Sequence, residues 1–185
     1  MAELPFLPDY LREGLDIVFV GINPSSYSAR VGHYFANPRN RFWTALNRSG
    51  LVNVGETGGL PLRPEDDHQL LDYGIGFTDL VKRPTPQASG LSAQDFREWA
   101  PVLQAKLLLY QPRIVSFHGM LGYKAYLHYA EGVKEQPKLG LQERVIGGAR
   151  IFVVPNPSPA NAHFSLDDLV YWYRELRASR EAQAQ

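Results

Sequence analysis

Three stretches hold the residues whose types could do chemistry: Gly21–Arg39, Asp79–Gly90 and Pro155–Phe164. The first opens Gly-Ile-Asn-Pro-Ser-Ser, presents the carboxamide of Asn23, and continues to the aromatic pair Tyr34-Phe35. A carboxamide can orient a water and accept one of its hydrogen bonds, but it is a very poor base. Alone it gives up part of the ~10²–10⁴-fold that general-base catalysis can supply. On pattern alone, Asn23 serves equally well as the shaping residue of an Asn-Pro turn. The second stretch places the carboxylate of Asp79 just ahead of Lys82 and Arg83. An aspartate there can activate a water or stabilise a developing cation; it can equally cap the loop or pair with either base. The third is the polar, proline-rich run Asn156–Ala162.

Several other chemistries drop out. Cysteine is absent, which excludes disulfides, thiolate zinc sites, cysteine nucleophiles and cysteine-ligated iron–sulfur clusters. The histidines at 33, 68, 118, 128 and 163 show no HxH or HExxH spacing, so no metal is expected. Neither a P-loop nor a GxGxxG is present, and no cofactor is implied.

The elements that must position these loops alternate. Asp16–Ile22 reads as a buried strand and 40–49 as a helix with Gly50 as its C-cap. The polar connection 52–64 leads to a short helix over 65–73 and a strand over 76–81. Ser92 and Asp95 predict a capped helix over 92–110, with Phe96, Trp99, Leu103 and Leu107 on one face. A strand over 113–117, a helix over 121–129 and a hairpin of 139–146 with 150–154 follow, and a helix over 165–177 closes the chain. Alternating strands and helices indicate an α/β/α layered sandwich around a mostly parallel sheet. Ligands of such sheets bind at the carboxyl ends of the strands, where all three loops fall.

The 185 residues suit one domain, with its core over about 15–177. Hydrophobic residues make up 44% and charged residues 21%. There is no run of about 18 apolar residues and no secretory leader, so the expected location is the cytoplasm. The 19 basic and 19 acidic residues cancel, so net charge by itself gives no sign of a polyanionic partner such as a nucleic acid. A small footprint can still rely on a local basic patch and on backbone N–H groups.

GINP followed by SAxxGxxFAxPxNRFW, then TxLVxRPT, then NPS resembles the mismatch-specific uracil-DNA glycosylase and thymine-DNA glycosylase family, over about Leu15 to Leu176. The resemblance implies a three-layer sandwich with a four-stranded parallel sheet. It implies a monofunctional enzyme that flips uracil, or a related damaged or mismatched base, out of DNA and hydrolyses its N-glycosidic bond to leave an abasic site. Asn23 matches the catalytic asparagine and Phe35 the aromatic that stacks on the extruded base, although Phe35 can also be a core residue and Tyr34 can take its place. Ile22 and the loop amides near Tyr34 and Phe35 would meet the base edge. The NPS loop, here Asn156, Ser158, Pro159, Ala160 and Asn161, would enter the DNA.

The departures carry information of their own. Asp79 stands where the family often has no carboxylate, so it joins Asn23 as a candidate catalytic residue. Ser25 stands where glycine is frequent and can touch the scissile nucleotide or be a neutral loop residue. The Ser-Pro-Ala-Asn-Ala tip lacks a bulky wedge, which predicts weak dependence on the opposite base and activity on single strands as well as duplexes. His163 reads as a surface or capping residue, and Asn40 as structural. Lys82 and Arg83, with Arg39 and Arg41, are the expected basic rim. No lysine occupies the expected nucleophile position, so strand-cleaving lyase chemistry is not indicated. The expected protein is a monomer acting on DNA, at the nucleoid in a bacterium, and not on membranes. The alternative is a catalytically silent nucleic-acid or nucleotide-binding module on the same fold.

Overall fold

The computed structural model describes residues 4–54 and 59–184; the connection 52–64 therefore lies partly outside the described residues. Five strands, β1 (Ile17–Gly21), β2 (Ile75–Asp79), β3 (Ile114–His118), β4 (Gly140–Ile146) and β5 (Ala149–Val154), form one sheet in the order β2-β1-β3-β5-β4. All neighbours are parallel except β4 with β5. The sheet is thus one strand wider than the four expected. The first arm of the expected hairpin pairs along the edge through the Gly147-Gly148 turn, and its half-exposed residues suit an edge strand.

The central strands are buried on both faces, and their alternation divides the core in two. Ile17, Phe19, Ile75, Phe77, Ile114 and Phe152 point to one side, against α2 (Phe42–Ser49) and α5 (Leu166–Gln183). Val18, Val20, Val115, Phe117, Ile151 and Val153 point to the other, against α3 (Ala93–Tyr110) and α4 (Met120–Tyr126). This is the expected three-layer sandwich. No helix among the described residues is long and apolar enough to cross a membrane.

Local chemistry shifts several boundaries. Within the first loop, Ser26–Val31 forms a short helix, α1, because Ser25 caps it by accepting a hydrogen bond from the Ser28 amide at 3.1 Å. Pro64–Tyr73 winds as a 3₁₀ helix with Pro at its start, and the turn after α4 widens to a π form over Leu127–Glu131. The last helix runs six residues beyond Arg177, to Gln183.

Both long helices start on a capping box. Ser92 Oγ accepts from the Asp95 amide while Asp95 accepts from the Ser92 amide at 2.7 Å, and Ser165 with Asp168 repeats the pattern. Ser92→Ala should therefore lower stability by about 1 kcal/mol. Urea denaturation checks this as a lower midpoint with an unchanged slope.

Candidate active site

The loops after β1 and β2 are stitched together beyond the ends of the strands. Leu80 N donates to Gly21 O, Val81 N to Ile22 O, Thr85 N to Pro24 O, and Ser26 N to Thr85 O, at 2.8 to 3.2 Å. This ladder sets Asn23 opposite Arg83 and Thr85. Asn23 Nδ2 donates to Arg83 O at 3.0 Å and to Thr85 Oγ1 at 2.7 Å, and Thr85 Oγ1 spends its own hydrogen on Gln87 O at 2.7 Å. A backbone carbonyl can only accept, so the nitrogen of the amide must face it. Both amide hydrogens are committed, and the carbonyl oxygen is what Asn23 has left to offer.

Asn23 lines a cavity of about 110 Å³ with Ile22, Tyr34, Phe35, Asp79 and His118. That is small beside the ~300–1,000 Å³ of drug-sized ligand pockets. A broader, more apolar groove continues from it past Ala88, Met120, Leu121 and Ala160.

Asp79 ends β2, paired in register with Gly21 of β1, and is 4% exposed. A Cβ at position 21 would lie 2.7 Å from Asp79 Oδ1, so only glycine lets the carboxylate sit there. Asp79 Oδ2 makes no hydrogen bond and lies 3.6 Å from Lys82 Nζ, an ion-pair distance too long for a hydrogen bond. Burial raises its pKa to about 6, against the opposing pull of Lys82. Folding therefore holds that proton more tightly than the unfolded chain does. The carboxylate costs stability increasingly as pH climbs from 3.8 to about 6, and the full cost stands at neutral pH, where it is ionised.

Lys82, expected at a basic rim, is 4% exposed and pairs with Asp9 at 2.8 Å. Lys106 grips the other oxygen of Asp9 at 2.6 Å, and Thr78 Oγ1 adds a bond at 2.8 Å. Burial pushes the Asp9 carboxyl up, but the two ammonium groups outweigh it and hold it below its ordinary value. Lys82 is a buried strut beside Asp79, not a group that DNA can reach.

Tyr34 is likewise a core residue. Its ring stacks on Phe77 at 5.0 Å, its hydroxyl donates to Pro8 O at 2.9 Å, and its amide donates to buried Asp67 at 2.9 Å. That amide is therefore not free for a base, and the Ile22 carbonyl already accepts from Val81. Phe35 differs. It is half-buried, has φ of 53°, and stacks on Phe42 with ring centroids 4.4 Å apart. A positive φ on an aromatic residue is strained, and here it presents a backed ring at the cavity wall.

The third loop is prebuilt. Asn156 Oδ1 accepts from Ser158 N, Ser158 Oγ from Ala160 N, and Asn156 O from Asn161 Nδ2, at 2.9 to 3.3 Å. Arg41, expected on the rim, instead clamps this loop through the carbonyls of Pro157, Ser158, Asn161 and Phe164. Asn156 and Ser158 reach the cavity, while Pro159 and Ala160 stand exposed at the tip. Arg83 stays at the surface, but its guanidinium is held by Asp95 at 2.7 Å and draws that carboxyl well below its usual range. Arg39 is exposed. The basic rim is thinner than the sequence suggested.

Residues 8–177 match the profile described as "Uracil DNA glycosylase superfamily". The chain belongs to that superfamily. It also matches the solution NMR structure of a Methanosarcina acetivorans protein described as a "putative Uracil DNA glycosylase", at 23% identity and a TM-score of 0.58 over 95% of this chain and 99% of that one. At that identity the likeness shows the shared fold. Membership gives uracil-containing DNA as partner and DNA glycosylase chemistry as the general activity.

The structure thus brings Asn23, Asp79, Ile22, Tyr34, Phe35, Asn156 and Ser158 of the expected residues to one cavity. Ser25 is there too, as a helix cap. Asn40 lines the cavity and accepts a hydrogen bond from the Phe42 amide, the first of α2, at 2.9 Å. Among the cavity residues not foreseen are Thr85 and His118. Thr85 was visible in the RPT segment but had no assigned task. His118 could have been suspected as a polar residue ending the apolar run Ile114–His118 at the functional edge of the sheet.

Thr85→Val, which keeps the shape and removes the acceptor for Asn23, should slow single-turnover base release by about 10-fold, as the loss of one buried hydrogen bond implies. Thermal melting checks that the variant remains folded.

Proposed function

We propose that this chain is a monofunctional glycosylase of the mismatch-specific, thymine-DNA-glycosylase-like type, which extrudes uracil and related lesions from DNA and hydrolyses the N-glycosidic bond. The observation that carries this reading is the locked amide of Asn23, whose free carbonyl oxygen borders a small cavity shared with a buried carboxylate.

Bond cleavage passes through an oxocarbenium-like sugar while negative charge builds on the leaving base. The bond is inaccessible in stacked DNA, so the nucleotide must first swing out. Phe35, backed by Phe42, stacks on the extruded base, a contact typically worth roughly 1–3 kcal/mol. Asn23 Oδ1 accepts one hydrogen bond from the attacking water and fixes its position. Asp79, ionised above about pH 6, balances the sugar cation or takes the proton of the water, the contribution that an amide cannot make. Water adds to C1′, the base departs with the electron pair of the C–N bond, and the proton passes to Asp79 or the departing base. The product is an abasic site in an intact strand.

The prebuilt tip with Pro159 and Ala160 exposed suits entry beside the lesion but fills little of the gap in the stack. Single-stranded substrates and loosely paired lesions therefore suit this enzyme, with little dependence on the opposite base. The thin basic rim is consistent with a modest, local hold on the phosphates.

Incubation of a uracil-containing oligonucleotide should give strand breaks only after alkali. Breaks without alkali would reveal a lyase, and DNA intact after alkali a mere binder.

The rate should rise with pH through about 6 and level off, because the working form of Asp79 is the carboxylate. Asp79→Asn should remove that rise and lower the rate at pH 8 by about 10²-fold or more, with the deficit shrinking toward pH 5. A variant as fast as wild type at pH 8 would retire the carboxylate from the mechanism.

A further inference from the structure

His118 closes β3, is 1% exposed, and borders the cavity. Its ring is wedged between aromatics, stacked on Phe19 at 4.9 Å and edge-on to Phe35 at 5.1 Å. Its Nε2 lies 2.9 Å from the hydroxyl of Tyr173 on α5, a residue with no exposed surface. Nδ1 is buried and makes no hydrogen bond.

The Tyr173 hydroxyl decides where the imidazole proton sits. Among the described residues its hydrogen-bond partner is His118. If Nε2 carried the proton, the phenol would accept, and its own hydrogen would be buried without an acceptor. If the phenol donates to Nε2, its hydrogen is satisfied and the ring proton must reside on Nδ1. Burial pulls the His118 pKa down to about 3, so the ring is neutral and holds one proton. With Nε2 turned to the α5 side, Nδ1–H is the polar group left for the cavity. A buried donor without a partner costs roughly 1–3 kcal/mol, a cost that a ligand can remove.

We propose that His118 Nδ1–H donates to a carbonyl oxygen of the extruded base, with Tyr173 as the positioning residue that fixes the required tautomer. This rests on the glycosylase reading above. It supplies that reading with a side chain able to separate damaged from normal bases. Deamination converts an exocyclic amino group to a carbonyl. Uracil and hypoxanthine thus offer an acceptor where cytosine and adenine offer a second donor, and two donors facing each other in a dry site leave both unpaired. The same N–H steadies the negative charge that collects on the departing base.

Three measurements test it. Nitrogen NMR of histidine-labelled protein should show His118 with a protonated Nδ1 and a bare Nε2; the opposite tautomer overturns the proposal whatever the activity. Non-cleavable single strands carrying 2′-fluorodeoxyuridine or 2′-fluorodeoxycytidine should bind wild type with about a 10-fold preference for uracil. His118→Phe, which keeps an aromatic ring in the stack, should lose that preference and release uracil about 10- to 100-fold more slowly. Tyr173→Phe should reduce the preference and give a mixed tautomer signal. An unchanged preference in His118→Phe, in a wild-type background that releases uracil, overturns this inference alone. A wild type that releases no base overturns the glycosylase reading and this inference with it.

Discussion

Parallel strands end at one edge, and their backbone groups must find partners there or be left to water. In this protein the pairing between the first two strands continues past Gly21 and Asp79 as far as Ser26 and Thr85. That continuation turns two loops into a single rigid lip. It sets the amide of Asn23 against two oxygens that can accept its hydrogens, and so decides which end of the amide faces the cavity. The cap on α1 and the short Thr85-to-Gln87 bond are consequences of the same pairing.

Around this lip the protein keeps several polar groups out of water at a cost. Asp79 Oδ2 and His118 Nδ1 are both buried without a hydrogen-bond partner, and both border the cavity. Packing gives neither atom a partner, and each carries a desolvation cost that a ligand in the cavity can relieve. The Asp9, Lys82 and Lys106 cluster sits behind Asp79 and tempers its burial. Aromatic packing supplies the rigidity: Phe19, Phe42 and Phe77 back Phe35, Tyr34 and His118 from the sheet and α2. The cavity wall is therefore held in place by rings that lie behind it.

Much of this was legible in the chain itself. Alternating buried strands and capped helices announced the layered sandwich, because a strand with apolar residues at every position must be covered on both faces. The unusual loops fell at the carboxyl edge, and Asn23, Asp79 and Phe35 could be named in advance. The fifth strand was not evident, since a hairpin's pattern does not say whether its outer arm joins a larger sheet. The basic residues misled for a different reason. A lysine or arginine in a loop reads as a surface charge, yet Lys82 is covered by a carboxylate from the N-terminal segment, Asp9, 73 residues away, and Arg41 by carbonyls more than 110 residues away. Such long-range partners leave no local signature. Tyr34 and Phe35 were interchangeable on paper; the buried Asp67 that holds the Tyr34 amide sends one ring into the core and leaves the other at the cavity.

In the proposed mechanism the oriented amide of Asn23 holds the water that attacks the sugar. Its most direct test is mass-spectrometric detection of free uracil in a single turnover, comparing wild type with Asn23→Ala after melting curves show both folded. Prompt release by wild type and a loss of about 10²-fold or more in the variant are expected. Equal release by the two proteins would contradict the account.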